Sequence, residues 1–435
     1  MGKPYKITLL TSGTRGDVQP YIALGLGLQA RGYHAQIAAP DSFASLVKTA
    51  GLPFAALDGN PSDLMMNHAG SQALLGGSNA LRSLIASVQF MRDSRPVYWR
   101  MLKSAWQACQ GSAMLLVGLP SLWGVHIAES LHIPCIGAAV QPLSPTKMWP
   151  SAILPIAQSG PSGPSGPSVF NRLTHAIVAQ AMWQPWRAMI NQWRRTQLGL
   201  KAATWAGPNV QDMPMLYGFS HHVVPHPSDW PVHHRITGYW RETARQPWQA
   251  PATLQHFLSG DKPVLFFGFG SPGLPNFTQQ IRKMIQASQT IGAKALITLP
   301  AGEALPSENP QQVLFIQDVP HDWLLPQVSA IIHHGGAGTM AAVLHSGKPM
   351  LVLPRAVDQY FWARRASLLG VAPTWIPQRQ LGHWSSAQLA TIMQSLLTHR
   401  SFSSNAQVIG ENLSKENGVQ LALDELEEKL CLNHN

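Results

Sequence analysis

The run of histidine and glycine from His333 to Gly338 carries the clearest chemical signal in the sequence. Ala330 to His333 has the pattern of a buried strand, and a helical pattern follows from Thr339 until Gly347 ends it. Glycines let a backbone approach a ligand closely, and the N–H groups at a helix N-terminus carry partial positive charge. Taken alone, such a turn would equally suit a tight structural connection. The predicted diphosphate-binding residues are Gly336, Ala337, Gly338 and Thr339.

A histidine at the end of this strand adds a hydrogen-bond donor to the predicted phosphate site, and a cation when its ring is protonated. The sequence contains no Asp-x-Asp pair that could bind a metal ion beside the phosphates. Protein groups are therefore expected to supply the positive charge, and we predict neither a metal site nor a resident cofactor.

A carboxylate and an amide, Asp358 and Gln359, lie nineteen residues beyond Thr339 and follow the next predicted strand, Met350 to Leu353. Ligands of open α/β sheets bind beyond the carboxyl ends of the strands, where these two side chains could hold sugar hydroxyls. For Asp358 alone, capping of the helix that follows is the alternative.

Near the start of the chain, Asp17 follows the first predicted strand within the segment Ser12 to Pro20, and a helix is predicted to begin near Tyr21. A carboxylate at the mouth of a sheet could accept the proton of an attacking hydroxyl, because an unassisted alcohol is a poor nucleophile near neutral pH. The alternative is that Asp17 caps the helix. Gly13 and Thr14, in the same turn, are added to the candidate ligand-binding residues.

Along the chain, short apolar runs alternate with longer helical patterns. This alternation is typical of parallel sheets with crossover helices, and these elements would position the candidate residues. We predict an α/β fold of two doubly wound, Rossmann-like parallel-sheet domains that face each other across a cleft. The predicted strands are Lys6–Thr11, Tyr33–Ala39, Ala113–Val117, Cys135–Val140, Val264–Phe269, Ala293–Leu299, Val313–Ile316, Ala330–His333 and Met350–Leu353.

The length of 435 residues suits two domains of about 200 residues each. We predict an N-terminal domain over 1–236, a linker over 237–262 with Pro247 and Pro251, and a C-terminal domain over 263–435. The last helix is a candidate to cross back to the N-terminal domain. The Gly-Pro-Ser repeat from Ser159 to Ser168 predicts a flexible loop. The apolar segment Phe170 to Trp193 predicts either an amphipathic helix pair beside an acceptor pocket or ordinary core helices.

The net charge of +10 belongs mostly to the first half of the chain, where residues 1–217 hold 16 Lys+Arg and 7 Asp+Glu. Nucleic acid and anionic membranes both attract such an excess. No zinc-finger spacing or aromatic RNA-binding signature occurs, so we predict no nucleic-acid partner. Pairs such as Trp186-Arg187 and Trp193-Arg194 suit the lipid headgroup region, which favours peripheral contact with an anionic membrane. A solvated basic surface is the alternative.

Three scattered cysteines indicate neither a disulfide framework nor a metal site, and they favour a reducing compartment. The apolar run Ile7 to Leu10 is too short for a signal peptide, and no apolar stretch approaches the roughly 18 residues that a spanning helix needs. We therefore expect a cytoplasmic protein, with the inner face of the membrane as its place of peripheral contact.

The sequence resembles the sterol glucosyltransferases of the UDP-glycosyltransferase superfamily, whose fold is named GT-B, and among them the bacterial enzymes. The resemblance rests on Gly13 to Pro20 with the Tyr-Ile-Ala-Leu-Gly-Leu-Gly-Leu run that follows, on the His-His-Gly-Gly-Ala-Gly-Thr segment and on Asp358-Gln359. It extends through Trp183-Gln184-Pro185, Leu216 to Ser220, Thr237 to Trp240 and Pro320 to Leu324, and so covers nearly the whole chain.

This resemblance implies an inverting transfer of a hexose, with glucose from UDP-glucose as the expected donor, to a hydroxyl of a lipophilic acceptor such as a sterol. Asp17 matches the general base, and His334 matches the histidine that contacts the diphosphate, while His333 is left a structural role. Asp358 and Gln359 match the pair that holds the sugar. Gly270 and Ser271, after the first strand of the C-terminal domain, match another nucleotide-facing loop.

Other functions stay open at this stage. Related enzymes modify polyketides, peptides or other natural products and use UDP- or dTDP-sugars, so the acceptor and the sugar are not fixed. A nicotinamide oxidoreductase is disfavoured, because Gly25, Gly27 and Gly32 lie within or after a helix rather than directly after a strand. A nucleotide-sugar epimerase or hydrolase would need no acceptor pocket, and a non-catalytic binder would not need Asp17.

Overall fold

Two parallel β-sheets organise the chain. The computed structural model describes residues 5–59, 80–154, 167–242, 248–270, 276–299, 309, 311–317 and 319–432. Its strands are β1 (Lys6–Leu10), β2 (His34–Pro40), β3 (Phe54–Leu57), β4 (Met114–Val117), β5 (Cys135–Ala139), β6 (Met215–Tyr217), β7 (His234–Ile236), β8 (Val264–Gly268), β9 (Lys294–Thr298), β10 (Val313–Ile316), β11 (Ala330–His333) and β12 (Met350–Val352).

The α-helices alternate with these strands as crossover connections. They are α1 (Arg15–Ala30), α2 (Ala44–Thr49), α3 (Ala80–Ala108), α4 (Val125–Leu131), α5 (Val169–Thr196), α6 (Ala252–Leu258), α7 (Phe277–Thr290), α8 (His321–Leu324), α9 (Ala337–His345), α10 (Gln359–Leu368), α11 (Ser386–Thr398), α12 (Arg400–Ser414) and α13 (Gly418–Leu432).

The N-terminal sheet has seven strands in the order β3-β2-β1-β4-β5-β6-β7, and the C-terminal sheet has five in the order β10-β9-β8-β11-β12. Neighbouring strands are parallel throughout. Central strands such as β4, β8 and β11 are buried along their whole length, as expected where helices cover both faces of a parallel sheet. The prediction of two doubly wound parallel-sheet domains is confirmed.

Three strands were not predicted: β3, β6 and β7. Each has only three or four residues, so neither an apolar run nor an alternating pattern is long enough to identify it. β6 and β7 extend the N-terminal sheet beyond β5, and the chain leaves this sheet at Ile236.

The segment from Phe170 to Trp193 forms one helix, α5, so the prediction of a helix pair is wrong. Pro185 lies inside it, where a missing N–H removes only one backbone hydrogen bond. The second half of α5 belongs to the core, because Trp193 is fully buried. Arg194 is also buried and forms an ion pair with Glu129, so the predicted membrane contact of this Trp-Arg pair is wrong as well. The predicted Gly-Pro-Ser loop falls mostly outside the described residues.

The last helix, α13, packs against α1 of the N-terminal domain. It contributes Ala422, Leu423, Leu426 and Leu430 to the core that covers one face of the N-terminal sheet. A Cβ atom on Gly27 of α1 would lie 2.7 Å from Cγ1 of Val419, which shows how closely the two helices approach. Arg31 donates to the Glu427 carboxylate at 2.8 Å beside this contact.

The chain passes between the domains twice at one place, once at Gly238 and once at Gly418. A Cβ atom on Gly418 would lie 2.4 Å from the carbonyl carbon of Gly238, so the two backbones touch. Gly238 has a φ of +92°, a backbone conformation that residues other than glycine rarely adopt. Within the predicted linker 237–262, residues 252–258 form α6, and 243–247 lie outside the described part.

Among all the residues that the structure describes, no helix combines the length and the apolar character needed to span a bilayer.

Candidate active site

The predicted site residues converge where the carboxyl ends of the two sheets face each other. Gly270 follows β8, His334 follows β11, and Asp358 follows β12. On the opposite side, Asp17 follows β1 and Gln141 follows β5. This is the edge at which open parallel sheets bind ligands.

The N-terminus of α9 presents the backbone groups expected of an anion site. Gly336 is its N-cap and has no side chain with which to cap the helix. The N–H of Met340 is the first to bond within the helix, to the carbonyl of Gly336 at 2.8 Å. The N–H groups of Ala337, Gly338 and Thr339 therefore lack intrahelical partners. Gly338 is exposed, and a Cβ atom there would meet no atom of the described residues within 4 Å, which leaves room for a ligand beside its backbone.

His334 lies between two glycines that leave room for its ring. A Cβ atom on Gly270 would lie 2.6 Å from Cε1 of His334, and one on Gly336 would lie 2.5 Å from Nε2. Nδ1 of His334 is 3.4 Å from the carbonyl oxygen of Gly268, at the end of β8. When Nδ1 donates to this carbonyl, Nε2 is directed toward the N-terminus of α9. Any side chain at either glycine would displace the imidazole.

Burial lowers the pKa of His334, the carbonyl of Gly268 opposes this effect, and the nearby His321 adds to it. The ring is therefore neutral at pH 7 in the free protein. A bound diphosphate would reverse the balance, because an opposite charge favours the protonated imidazole. His334 can thus become a cation when an anionic ligand arrives.

His333 has the structural role that was expected for it. Its ring is fully buried, with Nε2 3.3 Å from the sulfur of Met350 and Nδ1 accepting the N–H of Gly335 at 3.2 Å. Burial lowers the pKa of His333 to about 3, so the ring stays neutral. It fixes the turn through Gly335, whose φ is +86°.

Asp358 and Gln359 lie at the start of α10, and Asp358 is only 8% exposed. The indole N–H of Trp362 donates to Oδ2 of Asp358 at 2.9 Å. Oε1 of Gln359 accepts the backbone N–H of Arg355 at 2.8 Å, which leaves its Nε2 group free to donate to a ligand. The alternative for Asp358 is not supported, because its side chain makes no cap hydrogen bond.

The residue before Asp358 has a strained backbone. Val357 has a φ of +52°, a conformation that costs a β-branched residue about 1–2 kcal/mol. Strain of this kind persists where the surroundings enforce it and is concentrated at functional sites. The hydrogen bond between Gln359 and Arg355 closes the turn that contains Val357, so the same side chain helps to position Asp358.

Asp17 lies inside α1, which begins at Arg15; the prediction of a start near Tyr21 is wrong. Oδ2 of Asp17 accepts the N–H of Thr14 at 2.8 Å and its hydroxyl at 2.9 Å, and these contacts stabilise an earlier helix start. Pro20 lies in the second turn and forfeits one backbone bond. Asp17 therefore helps to cap the helix through Oδ2, as the alternative predicted. Its other oxygen, Oδ1, accepts no hydrogen bond from the described residues.

Thr14 holds this carboxylate through its two hydrogen bonds, and Gly13 leaves room for it. A Cβ atom on Gly13 would lie 2.6 Å from Oδ2 of Asp17, and the φ of Gly13 is +110°. Burial raises the pKa of Asp17, and the two hydrogen bonds from Thr14 oppose this effect. A carboxylate whose pKa moves toward neutrality is a better proton acceptor than an ordinary one.

Gln141 is a site residue that sequence reasoning missed. Its side chain is 9% exposed and hydrogen-bonds the carboxylate of Asp358, so it joins the two domains across the cleft. Its position directly after the predicted strand Cys135–Val140 was the only signal that could have identified it. Ser271, the remaining predicted site residue, lies outside the described residues.

Two family models match the chain, one in each domain. The glycosyltransferase family 28 N-terminal domain matches residues 7–150, and the erythromycin biosynthesis protein CIII-like C-terminal domain matches residues 282–427. Together the two matches span about two-thirds of the chain and include every described candidate residue except Gly270.

Relatives were found among fungal sterol 3-beta-glucosyltransferases. The protein of Cryptococcus neoformans is 32% identical over 450 residues, which cover 97% of this chain and 27% of that protein. The protein of Emericella nidulans is 31% identical over 438 residues, which cover 97% and 30%. The chain therefore spans less than a third of the length of these relatives, which are fungal where bacterial enzymes were expected.

Solved structures share the fold. The glycotransferase of kitacinnamycin has a TM-score of 0.68 at 20% identity, with 98% of this chain and 99% of that chain covered. The calicheamicin glycosyltransferase has a TM-score of 0.70 at 16% identity, with 100% of both chains covered. The two-domain architecture is thus the GT-B fold that was predicted. With this fold, a family model in each domain and relatives along nearly its whole length, the chain belongs to the UDP-glycosyltransferase superfamily.

Proposed function

We propose that the protein is an inverting glycosyltransferase that moves glucose from UDP-glucose onto the hydroxyl of a lipophilic acceptor such as a sterol. The single observation that carries the proposal is the opposition of two half-sites. Asp17 on the N-terminal domain faces Asp358 and the turn at His334 on the C-terminal domain, and Gln141 bridges the two sides. The names of the fungal relatives support the sugar and the acceptor class.

In the proposed reaction, the diphosphate lies on the backbone N–H groups at the start of α9 and beside Nε2 of His334. Asp358 accepts hydrogen bonds from the sugar hydroxyls, and the free amide group of Gln359 donates hydrogen bonds to them. The acceptor oxygen attacks C1 from the face opposite the phosphate, and Asp17 takes the hydroxyl proton. The bond from C1 to the phosphate oxygen breaks, UDP leaves with the bonding electrons, and a β-glycoside forms from an α-linked donor.

Catalysis in this proposal comes from positioning the two substrates and from stabilising charge on the departing diphosphate. The helix N-terminus and protonated His334 supply that positive charge, so the donor site requires no metal ion. No covalent intermediate is needed, because a single displacement inverts the anomeric carbon.

The apolar face at the start of α5 supports a lipophilic acceptor. Val169, Phe170, Leu173 and Ile177 are large apolar residues more than half exposed on this helix, with Phe170 at 79%. The helix start lies beside the loop after β5, where the Asn171 amide donates to the Lys147 carbonyl at 2.7 Å. Trp149 in that loop is 6.1 Å from the ring of Phe361, near Asp358, so the apolar face lies close to the cleft.

We also propose that this face meets an anionic membrane that holds the acceptor. Lys147 and Arg172 are exposed beside it and would approach lipid phosphates as Phe170 and Leu173 enter the interface. Flotation with phosphatidylserine liposomes at low salt tests the contact. Serine at Phe170 and Leu173 should abolish flotation, whereas serine at Val408, which is 55% exposed on α12 of the C-terminal domain, should not. Absence of flotation of the wild-type protein even at low salt would refute the contact. A cytoplasmic location stays a prediction.

The decisive assay measures UDP release from UDP-glucose, with EDTA present, across a panel of sterols and other lipophilic alcohols, with the products identified by mass. Release that depends on an acceptor, with a gain of one hexose in mass, supports the proposal and names the acceptor class. Release without any acceptor indicates a hydrolase. The second candidate is a natural-product glycosyltransferase, the class to which the solved structures of similar fold belong. Activity only with dTDP-sugars and polyketide or peptide acceptors would favour it.

A further inference from the structure

Two adjacent histidines and one glutamate meet where the chain crosses between the domains. His221 and His222 lie in the loop that follows β6 of the N-terminal domain. Glu416 lies in the turn between α12 and α13, two residues before the crossing at Gly418. None of the three belongs to the proposed donor or acceptor site.

Their ligand atoms are spaced as the ligands of one metal ion would be. Nδ1 of His221 is 3.3 Å from Oε1 of Glu416, and Nε2 of His222 is 3.9 Å from the same oxygen. One ligand atom from each residue lies within 4.8 Å of the other two. Ligands of a tetrahedral zinc ion are about 3.4 Å apart, given bonds of about 2.0–2.1 Å. Small side-chain rotations would bring all three onto one ion.

The surroundings of Glu416 also favour a cation. The carboxylate is largely buried, and Oε2 has no hydrogen-bond partner within the described chain. Oε1 accepts the hydroxyl of Ser220 at 2.7 Å, an interaction of the kind that orients a metal-binding carboxylate from outside the ligand set. A buried carboxylate is costly unless its charge is compensated, and a metal ion bound at Oε1 would compensate it.

A cation, Arg365, lies near the cluster and donates to the carbonyl of Val223 at 2.8 Å, next to His222 in the chain. Arg365 is near Tyr239, whose buried hydroxyl also lacks a partner in the part of the chain described. Tyr239 stays neutral, because burial and the charge of Glu416 raise its pKa. Solvent reaches the cluster directly, since the side chain of His221 is 61% exposed, and a cavity of about 530 Å³ borders Glu416.

We propose that Nδ1 of His221, Nε2 of His222 and the carboxylate of Glu416 bind one divalent transition-metal ion of the zinc type, with water as the fourth ligand. Two imidazoles and one carboxylate are a common zinc ligand set. The ion would tie the loop after β6 to the returning chain. Tyr239 is 5.4 Å from His345, at the end of α9 remote from the phosphate turn, so the ion would stay about one helix length from the donor site.

Binding of Zn²⁺ to the full chain after chelator treatment tests this proposal. We expect one ion per chain, a higher melting temperature with Zn²⁺, and the visible absorption of tetrahedral Co²⁺ when cobalt replaces zinc. The variants are the double substitution of His221 and His222 by alanine, and Glu416→Gln, which keeps an acceptor for Ser220. Each should weaken Zn²⁺ binding by at least about 100-fold, because loss of an outer-shell partner already costs about 10–100-fold.

The matched control is His383→Ala, which removes an exposed histidine elsewhere and should bind zinc like the wild type. Equal zinc affinity in the wild type and both site variants would overturn the proposal, as would failure of the wild type to bind a stoichiometric ion. UDP-glucose binding, measured on the same samples, should be unchanged in all variants. This result is independent of the transferase assay, so failure of one proposal does not imply failure of the other.

Discussion

The carboxylates of Asp17 and Asp358 come from different domains and influence each other across the cleft. Burial, followed by the negative charge of Asp17, raises the pKa of Asp358 to about 6, against the hydrogen bonds from Trp362 and Gln141. The pairing places a proton acceptor on one side of the cleft and a sugar-binding group on the other. The pairing also lowers the free energy of unfolding when both carboxylates are ionised.

Replacement of Asp358 by asparagine should therefore stabilise the protein at alkaline pH. The pKa of Asp358 rises from 3.8 to about 6 on folding, so ionisation favours the unfolded state, and the free energy of unfolding falls as pH rises through this range. Relief of about two pKa units is worth up to about 3 kcal/mol. We expect a higher melting temperature for Asp358→Asn at pH 8 and no gain near pH 4, with donor affinity lowered by at least about tenfold. An equal gain at both pH values would contradict the assignment.

Asp17→Asn should abolish transfer without loss of donor binding. Asparagine keeps an oxygen to accept from Thr14, so the start of α1 is preserved, but it cannot take a proton. We expect turnover to fall by about 100-fold or more. UDP affinity measured by calorimetry should stay nearly normal. Asp41→Asn, at an exposed aspartate after β2, is the control, and equal loss of UDP binding in Asp17→Asn would refute the role of general base.

UDP-glucose binding should take up a proton at His334. The pKa of this imidazole is lowered in the free protein, mainly by burial, and a diphosphate would raise it. Affinity should therefore increase as pH falls from 8 toward 6 and level off once the free ring is protonated too. Calorimetry in buffers of different ionisation enthalpy measures the uptake directly. The His334→Ala variant should bind UDP-glucose about 10–100-fold more weakly and should take up no proton on binding. A wild-type affinity that does not change with pH would argue against this role.

Alanine at Gly270 or Gly336 should impair donor binding, because it would displace His334. Each new Cβ atom would lie 2.5–2.6 Å from the imidazole, which must then leave its place. We expect at least a tenfold loss of UDP-glucose affinity, similar to the effect of removing the histidine. Gly382→Ala is the matched control, because its Cβ atom would meet nothing within 4 Å. If Gly336→Ala binds the donor as Gly382→Ala does, the ring does not contact the diphosphate.

The long, buried strands and the phosphate turn could be predicted from sequence because their signals are local. β11 and β10 were predicted to the residue, and the glycines after β11 lie at the helix start as expected. β6 and β7 were missed because their burial comes from neighbours in space rather than from their own pattern. Gln141 and the cluster at Glu416 were missed for the same reason, since each depends on residues more than 190 positions away.

The packing of α13 on α1 has a consequence for protein engineering. The core under the N-terminal sheet includes Leu423 and Leu426, which the chain supplies only after it has built the second domain. A recombinant fragment that stops at residue 236 would leave that apolar face open to water and to aggregation. A chimaera designed to exchange donor specificity between relatives should replace the segment between Gly238 and Gly418 and keep α13 from the parent that supplies the N-terminal sheet.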